Sequence, residues 1–190
     1  LDLADNTILI FMTDNGTAAG GKFSGLDSEP TVGFNAGMRG NKGSVYEGGH
    51  RVPFFIHWPN GGLTGGKDID TLAAHIDVLP TLADLCDVDV TEEYLLDGVS
   101  LKPLLSKSEQ PWKRDHHVEQ YLGGAYAAAM PPKPYEFSVV MTERWRLVNS
   151  GEEILYDIQA DPAQRTNLAK EHPEVVARLR KLYQPFWKKV

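Results

Sequence analysis

One cysteine in 190 residues excludes an internal disulfide and a zinc site built from several thiolates. No apolar run approaches the roughly 20 residues of a membrane-spanning helix. The start shows no basic stretch followed by an apolar one, so no signal peptide is expected within this chain. Positive charge is in short supply, with 19 Lys plus Arg against 26 Asp plus Glu, a net charge of -7 and a pI near 5.3. Nucleic-acid binders usually present a basic face, and that class is excluded. Internal repeats are absent. What remains is ordinary globular chemistry, 42% hydrophobic and 24% charged, in a chain long enough for one domain or a domain and a small extra.

Composition shifts along the chain. Fourteen of the 18 glycines fall in residues 1–66. Residues 1–60 carry a net charge of -2, residues 61–110 a net of -7, and residues 111–190 a net of +2. Thr7-Ile8-Leu9-Ile10-Phe11-Met12 and Val52-Pro53-Phe54-Phe55-Ile56-His57-Trp58 are uninterrupted β-favouring runs, expected as strands buried on both faces. Between them lies a long glycine-rich loop, of a length that is usually functional or disordered. Leu72, Ile76, Leu79, Leu82, Ala83 and Cys86 follow helical spacing. That helix is expected to start near Asp77 as its cap, with Pro80 in its first turn and Cys86 as a buried thiol. Strand-like runs follow at 115–121, 136–142, 144–149 and 154–156. The chain closes on an amphipathic helix with the stripe Val175, Val176, Leu179, Leu182, Tyr183 and Phe186. Pro173 suits its start, and Pro185 is expected to kink or end it.

Two segments carry candidate chemistry. Asp14-Asn15 stands at the C-terminal end of a strand, the edge where open α/β sheets bind ligands. A carboxylate beside an amide carbonyl offers hard oxygens suited to Ca²⁺ or Mg²⁺. Asp-Asn-Gly is equally a strong turn former, so a plain Asx turn stays open. The second segment, Arg39 to Pro53, interleaves Lys42, Glu47, His50 and Arg51 with four glycines. Glycine allows close approach to an anion, and a lysine ammonium suits a sulfate or phosphate oxygen. The glycine spacing is not that of a P-loop. A flexible surface loop with scattered charges is the competing interpretation.

Taken together the segments resemble the sulfatase family of the alkaline-phosphatase superfamily. The resemblance rests on Ile8 to Gly16, Met38 to Pro53, His75-Ile76-Asp77-Val78-Leu79-Pro80-Thr81-Leu82, and Leu155-Tyr156-Asp157 with Asp161-Pro162 and Asn167-Leu168-Ala169. These motifs run in order along nearly the whole chain. The family's Cys/Ser-x-Pro-x-Arg motif, source of its formylglycine, is not among the 190 residues, nor are the two early aspartates that complete its calcium site. The chain therefore looks like the C-terminal part of a sulfatase.

The resemblance implies an α/β fold. Residues 1–110 would be the C-terminal part of the catalytic domain, within an alkaline-phosphatase-like mixed sheet. Residues 111–190 would be a small subdomain of antiparallel sheet plus C-terminal helix. It implies a parent that hydrolyses sulfate esters of a sugar or aryl substrate with formylglycine and Ca²⁺, the chain alone being inactive. Asp14 and Asn15 would be calcium ligands, with Asp14 also near the nucleophile. Lys42 would hold a sulfate oxygen, His50 would face substrate, and Glu47 and Arg51 would brace the Lys42 loop. The partners would be a sulfated small molecule or glycan and the N-terminal half of the same protein, with no nucleic acid and no membrane. A periplasmic or secreted parent is implied in the same way. A phosphate or phosphonate ester hydrolase and a non-catalytic interaction module are the alternatives.

The remaining aromatic and polar residues read as structural. Trp112, Trp145, Trp187, Tyr121 and Tyr135 are expected to pack in the core rather than form a carbohydrate platform. His75 is expected to be a packed, hydrogen-bonded residue. The acidic stretch from Asp68 to Asp97 is expected to be a solvated face.

Overall fold

The computed structural model describes residues 1–17, 35–90, 96–106, 111–121 and 133–189. They fall into two compact units, Leu1–Phe11 with Phe54–Asp115, and Met12–Pro53 with His116–Val190.

In the first unit, β1 (Leu9–Met12, its last residue opening the second unit) pairs with β2 (Phe54–His57) in a two-stranded sheet. Both strands alternate rather than bury both faces. Leu9, Phe11 and Phe55 are 63%, 61% and 64% exposed. The cause is the lack of a covering layer on that face among the described residues; Phe11 and Phe55 meet each other, with ring centroids 6.1 Å apart.

The helix expected to start near Asp77 is α2 (Val78–Leu85), shorter than the apolar periodicity suggests and preceded by a 3-10 turn at His75–Asp77. Asp77 does not cap it through its side chain. Its fully buried carboxylate accepts the Ala74 N–H at 2.8 Å and the Val99 N–H at 2.8 Å, and pairs with Arg114. The group that sequence favours as a cap is instead the tie between three chain segments. Thr81 continues the tie, its hydroxyl donating to Asp77 O at 2.5 Å and accepting the Leu101 N–H at 2.8 Å. Cys86 sits at the helix C-cap and is exposed, not buried, because α2 has already ended at Leu85. A one-turn helix, α3 (Lys102–Leu105), follows. The other described aspartates of the 68–97 stretch are exposed or half-buried, so the solvated acidic face holds apart from Asp77.

The second unit holds one turn of helix, α1 (Glu47–His50), and a four-stranded antiparallel sheet in the order β3 (His117–Gln120), β4 (Ser138–Met141), β5 (Trp145–Asn149), β6 (Glu153–Asp157). Val140 stands opposite Val118 on one side and Leu147 on the other, and Leu147 opposite Leu155. These four apolar residues therefore share one sheet face. Onto it packs α4 (Pro173–Trp187), contributing Val176, Leu179 and Tyr183, with Trp145 completing the core. Val175, Leu182 and Phe186 flank this core, so the whole predicted stripe faces inward. Pro185 does not end the helix, which continues to Trp187. In the last turn a missing N–H costs one bond, and the helix closes through Lys188 N–H to Gln184 O at 3.2 Å.

Candidate active site

Asp14, Asn15, Lys42 and His50 all belong to the second unit. β1 ends at Met12, and the Asp14-Asn15-Gly16 turn follows directly. Thr13 stabilises it by donating from its hydroxyl to Asn15 O at 3.2 Å. Asp14 is exposed, and Asn15 and Gly16 are half-buried. The turn is locked against the glycine-rich loop. Gly16 N–H donates to Gly49 O at 2.9 Å, and Lys42 N–H donates to Thr17 O at 3.0 Å. Gly16 lies so close to the loop that a Cβ on it would stand 1.8 Å from Gly48 O. Gly48 is as confined, since its Cβ would lie 2.3 Å from Gly40 O. Glycine at 16 and 48 is thus demanded by backbone approach.

The Lys42 loop is ordered from within. Asn41 N–H donates to Ser44 Oγ at 3.2 Å, Ser44 N–H to Asn41 O at 3.0 Å, and Gly48 N–H to Arg39 O at 2.7 Å. Lys42 itself is exposed, while residues 44–49 are buried. So an ordered backbone carries an exposed lysine at position 42. The plain alternatives read from sequence, an isolated Asx turn and a loose charged loop, do not describe this arrangement.

Glu47 secures the loop from below. Its carboxylate, 1% exposed, accepts Arg146 Nε at 2.6 Å from β5 and Arg51 Nη1 at 3.4 Å. Its backbone N–H donates to Gln164 Oε1 at 2.8 Å. Arg39 donates to the Tyr156 hydroxyl at 2.8 Å and to Gln164 O at 3.3 Å, and its guanidinium lies 4.2 Å from the Tyr46 ring centre. Tyr46 shares a hydrogen bond with Ser150 at 2.9 Å. Arg146, Gln164 and Tyr156 were not singled out as site residues from the sequence, because they lie about a hundred residues from the loop they hold. Arg146 carried a signal, a charge inside an otherwise apolar strand, which requires a buried partner.

His50 ends α1. The residue is half-buried, but its Nε2 is sealed from solvent and has no hydrogen-bond partner among the described residues. Burial holds its pKa below the usual 6.5, against the opposing pull of the Glu119 and Glu47 carboxylates. It is a neutral imidazole at pH 7. Among the described residues no group of three His, Cys, Asp or Glu could hold a metal ion. The Asp14 and Asn15 side chains carry hard oxygens of the kind a calcium ion accepts.

Residues 40–188 match the family model for N-sulphoglucosamine sulphohydrolase, C-terminal. An N-acetylgalactosamine-6-O-sulfatase of Bacteroides thetaiotaomicron is 33% identical over 97% of this chain and 37% of its own length. An arylsulfatase of Clostridium perfringens is 31% identical over 94% of this chain and 33% of its own. The chain thus spans about a third of the relatives it matches. A solved structure from glycosaminoglycan metabolism in Bacteroides thetaiotaomicron superposes with a TM-score of 0.71 at 27% identity, over 97% of this chain and 39% of that one. A phosphonate monoester hydrolase of Agrobacterium radiobacter shares the fold, with a TM-score of 0.60 at 24% identity over 94% of this chain and 36% of that one.

Proposed function

Since this chain belongs to the sulfatase family, we propose that it is the C-terminal part of a hydrolase of sulfate esters and carries the sulfate-holding half of the active site. The observation that supports this best is the locking of the Asp14-Asn15-Gly16 turn onto the Lys42 loop by two backbone hydrogen bonds. A metal-type donor pair and a cation for an anionic ester are thereby held on one scaffold.

Lys42 donates to a sulfate oxygen and stabilises the charge that develops toward the leaving oxygen. Its fixed backbone and exposed side chain suit that task. Asp14 would orient or deprotonate the nucleophile, a formylglycine from a part of the parent outside these 190 residues. Asp14 and Asn15 would hold Ca²⁺ with further oxygens from outside the chain, and the bound ion would offset charge between the carboxylates and the ester. His50 stands on the substrate side of the proposal, since a neutral imidazole that carries its proton on the unpartnered Nε2 would donate to an ester oxygen. The substrate would be a sulfated sugar or aryl ester.

Without a nucleophile, the isolated chain should not turn over 4-nitrophenyl sulfate, whereas the full-length parent should. Lys42→Ala in that parent should lower turnover about 10²-fold or more, the scale of losing one oriented donor. An unaffected variant, or robust hydrolysis by the isolated chain, overturns the assignment. A phosphonate or phosphate ester is the second reading, favoured by the shared fold alone. Assay of the parent on phenyl phosphonate monoesters decides between the two.

A further inference from the structure

Tyr121 contradicts the expectation that the aromatic residues outside the motifs are core. Trp145 is 8% exposed and Tyr183 fully buried, and Tyr135 and Trp187 pack against that core. Tyr121 is 39% exposed. Its phenol tip rests on the Lys42 loop: a Cβ on Gly43 would lie 3.0 Å from Tyr121 Oη and 3.2 Å from its Cζ. Gly43 has φ +86, so glycine is favoured there by backbone conformation, and a side chain would also press on the tyrosine.

The backbone that carries the ring is anchored. Tyr121 N–H donates to Phe137 O at 2.8 Å. The preceding residue, Gln120, donates to Lys133 O at 2.8 Å and Glu136 O at 2.9 Å, and accepts the Tyr183 hydroxyl at 2.8 Å. A half-exposed aromatic ring on an anchored backbone thus stands one residue from the exposed Lys42. Tyrosine has only two side-chain torsions, so it offers contact area at little entropic cost.

We propose that Tyr121 is a substrate-binding residue, the wall beside Lys42 against which the ring of the sulfate-bearing alcohol packs. This rests on the sulfatase reading of Lys42 and adds to it a residue that would contact the sugar or aryl ring of the ester. Aromatic side chains bind such faces by offset stacking, and removing one contact costs about 3- to 10-fold in affinity. The contact lies on the leaving-group side, so it affects binding of the ester and not of the sulfate group alone.

The test uses the full-length parent with 4-methylumbelliferyl sulfate as substrate and inorganic sulfate as competing ligand. Tyr121→Ala should raise KM for the ester about tenfold with little change in kcat, and leave the inhibition constant of inorganic sulfate unchanged. Tyr121→Phe should retain most of the wild-type KM. N-acetylgalactosamine 6-sulfate as a second competing ligand distinguishes the ring source. An inhibition constant weakened by Tyr121→Ala assigns the wall to pyranose rings as well, and an unchanged one assigns it to aryl rings. If Tyr121→Ala leaves KM unchanged, or weakens inorganic sulfate in parallel, the proposal is overturned, the second result making Tyr121 a mere support of the loop. Lys42→Ala serves as the control. If it too is silent, the sulfatase reading fails rather than the role of Tyr121 alone.

Discussion

His50 is a half-buried base within the field of two carboxylates, Glu119 and Glu47, and burial has the larger effect on its charge state. Its pKa is lowered in the folded chain and near 6.5 in the unfolded one. Between these values the unfolded state binds the extra proton, so the stabilisation is full above pH 6.5 and is lost as pH falls below it. Thermal or urea unfolding of the chain between pH 5 and 7.5 should show stability declining on acidification. In His50→Gln that decline should be shallower, by up to about 1.4 kcal/mol per pH unit, the weight of one proton. Parallel profiles for the two proteins would show that His50 does not remain neutral in the fold. The neighbouring Glu47–Arg146 pair is of a different kind. It is buried but well satisfied, since Glu47 accepts from two arginines and Arg146 also donates to Thr142 O. Such pairs specify position more than they stabilise, and here the position is that of the Lys42 loop.

At the scale of elements, the site is a loop clamped on a sheet. Its upper clamp is glycine against glycine, and Gly16 and Gly62 separate two constraints that Gly40 and Gly43 combine. Gly16 has no unusual φ but has no room, while Gly62 has φ +77 and open space around it. Gly16→Ala should therefore displace the Lys42 loop and cost about 1–3 kcal/mol as an overpacking change. Gly62→Ala should cost about 1 kcal/mol through backbone conformation alone and leave the site untouched. In the full-length parent, the first substitution should lower turnover of an aryl sulfate at least tenfold and the second should not. Equal activity in both would mean that the turn and the loop are not coupled. The sheet beneath is fixed at its far end by Asp157, whose carboxyl is held below its usual range by a hydrogen bond from Arg144, with help from the Ala160 and Gln159 N–H groups. This contribution is complete near neutrality and disappears only at strongly acid pH, as the carboxyl protonates.

At the scale of the whole molecule, the proposed calcium site would draw only Asp14 and Asn15 from this chain, and among the described residues one sheet face is uncovered. Two oxygen-bearing side chains are present where calcium wants six to eight ligands. Calorimetry on the isolated chain should therefore show weak Ca²⁺ binding, in the millimolar range or above, and the full-length parent should bind much more tightly. Micromolar affinity in the isolated chain would mean that Asp14 and Asn15 belong to a site completed within these 190 residues. The exposed Leu9, Phe11 and Phe55 tell the same story in apolar terms, since no described residue covers them. Their strands read correctly in sequence, because β-propensity is local. Their burial did not, because it depends on what lies across the sheet.

The sequence by itself determined the strands, the inward stripe of α4, the turn at Asp14-Asn15-Gly16 and the family resemblance of the Lys42 loop, since periodicity, glycine and motif order are properties of neighbours along the chain. It misplaced Asp77, Cys86 and Tyr121, each by a tertiary cause. Asp77 found distant N–H groups and Arg114 to satisfy, which a charge buried at 0% exposure must do. Cys86 fell past the end of a helix that stopped at Leu85. Tyr121 reached a strand end where Gly43 left space for its phenol. Only the tertiary structure decided that residues 39–49 rest on Arg146, Tyr156 and Gln164, because hydrogen bonds between groups a hundred residues apart leave no local pattern to read.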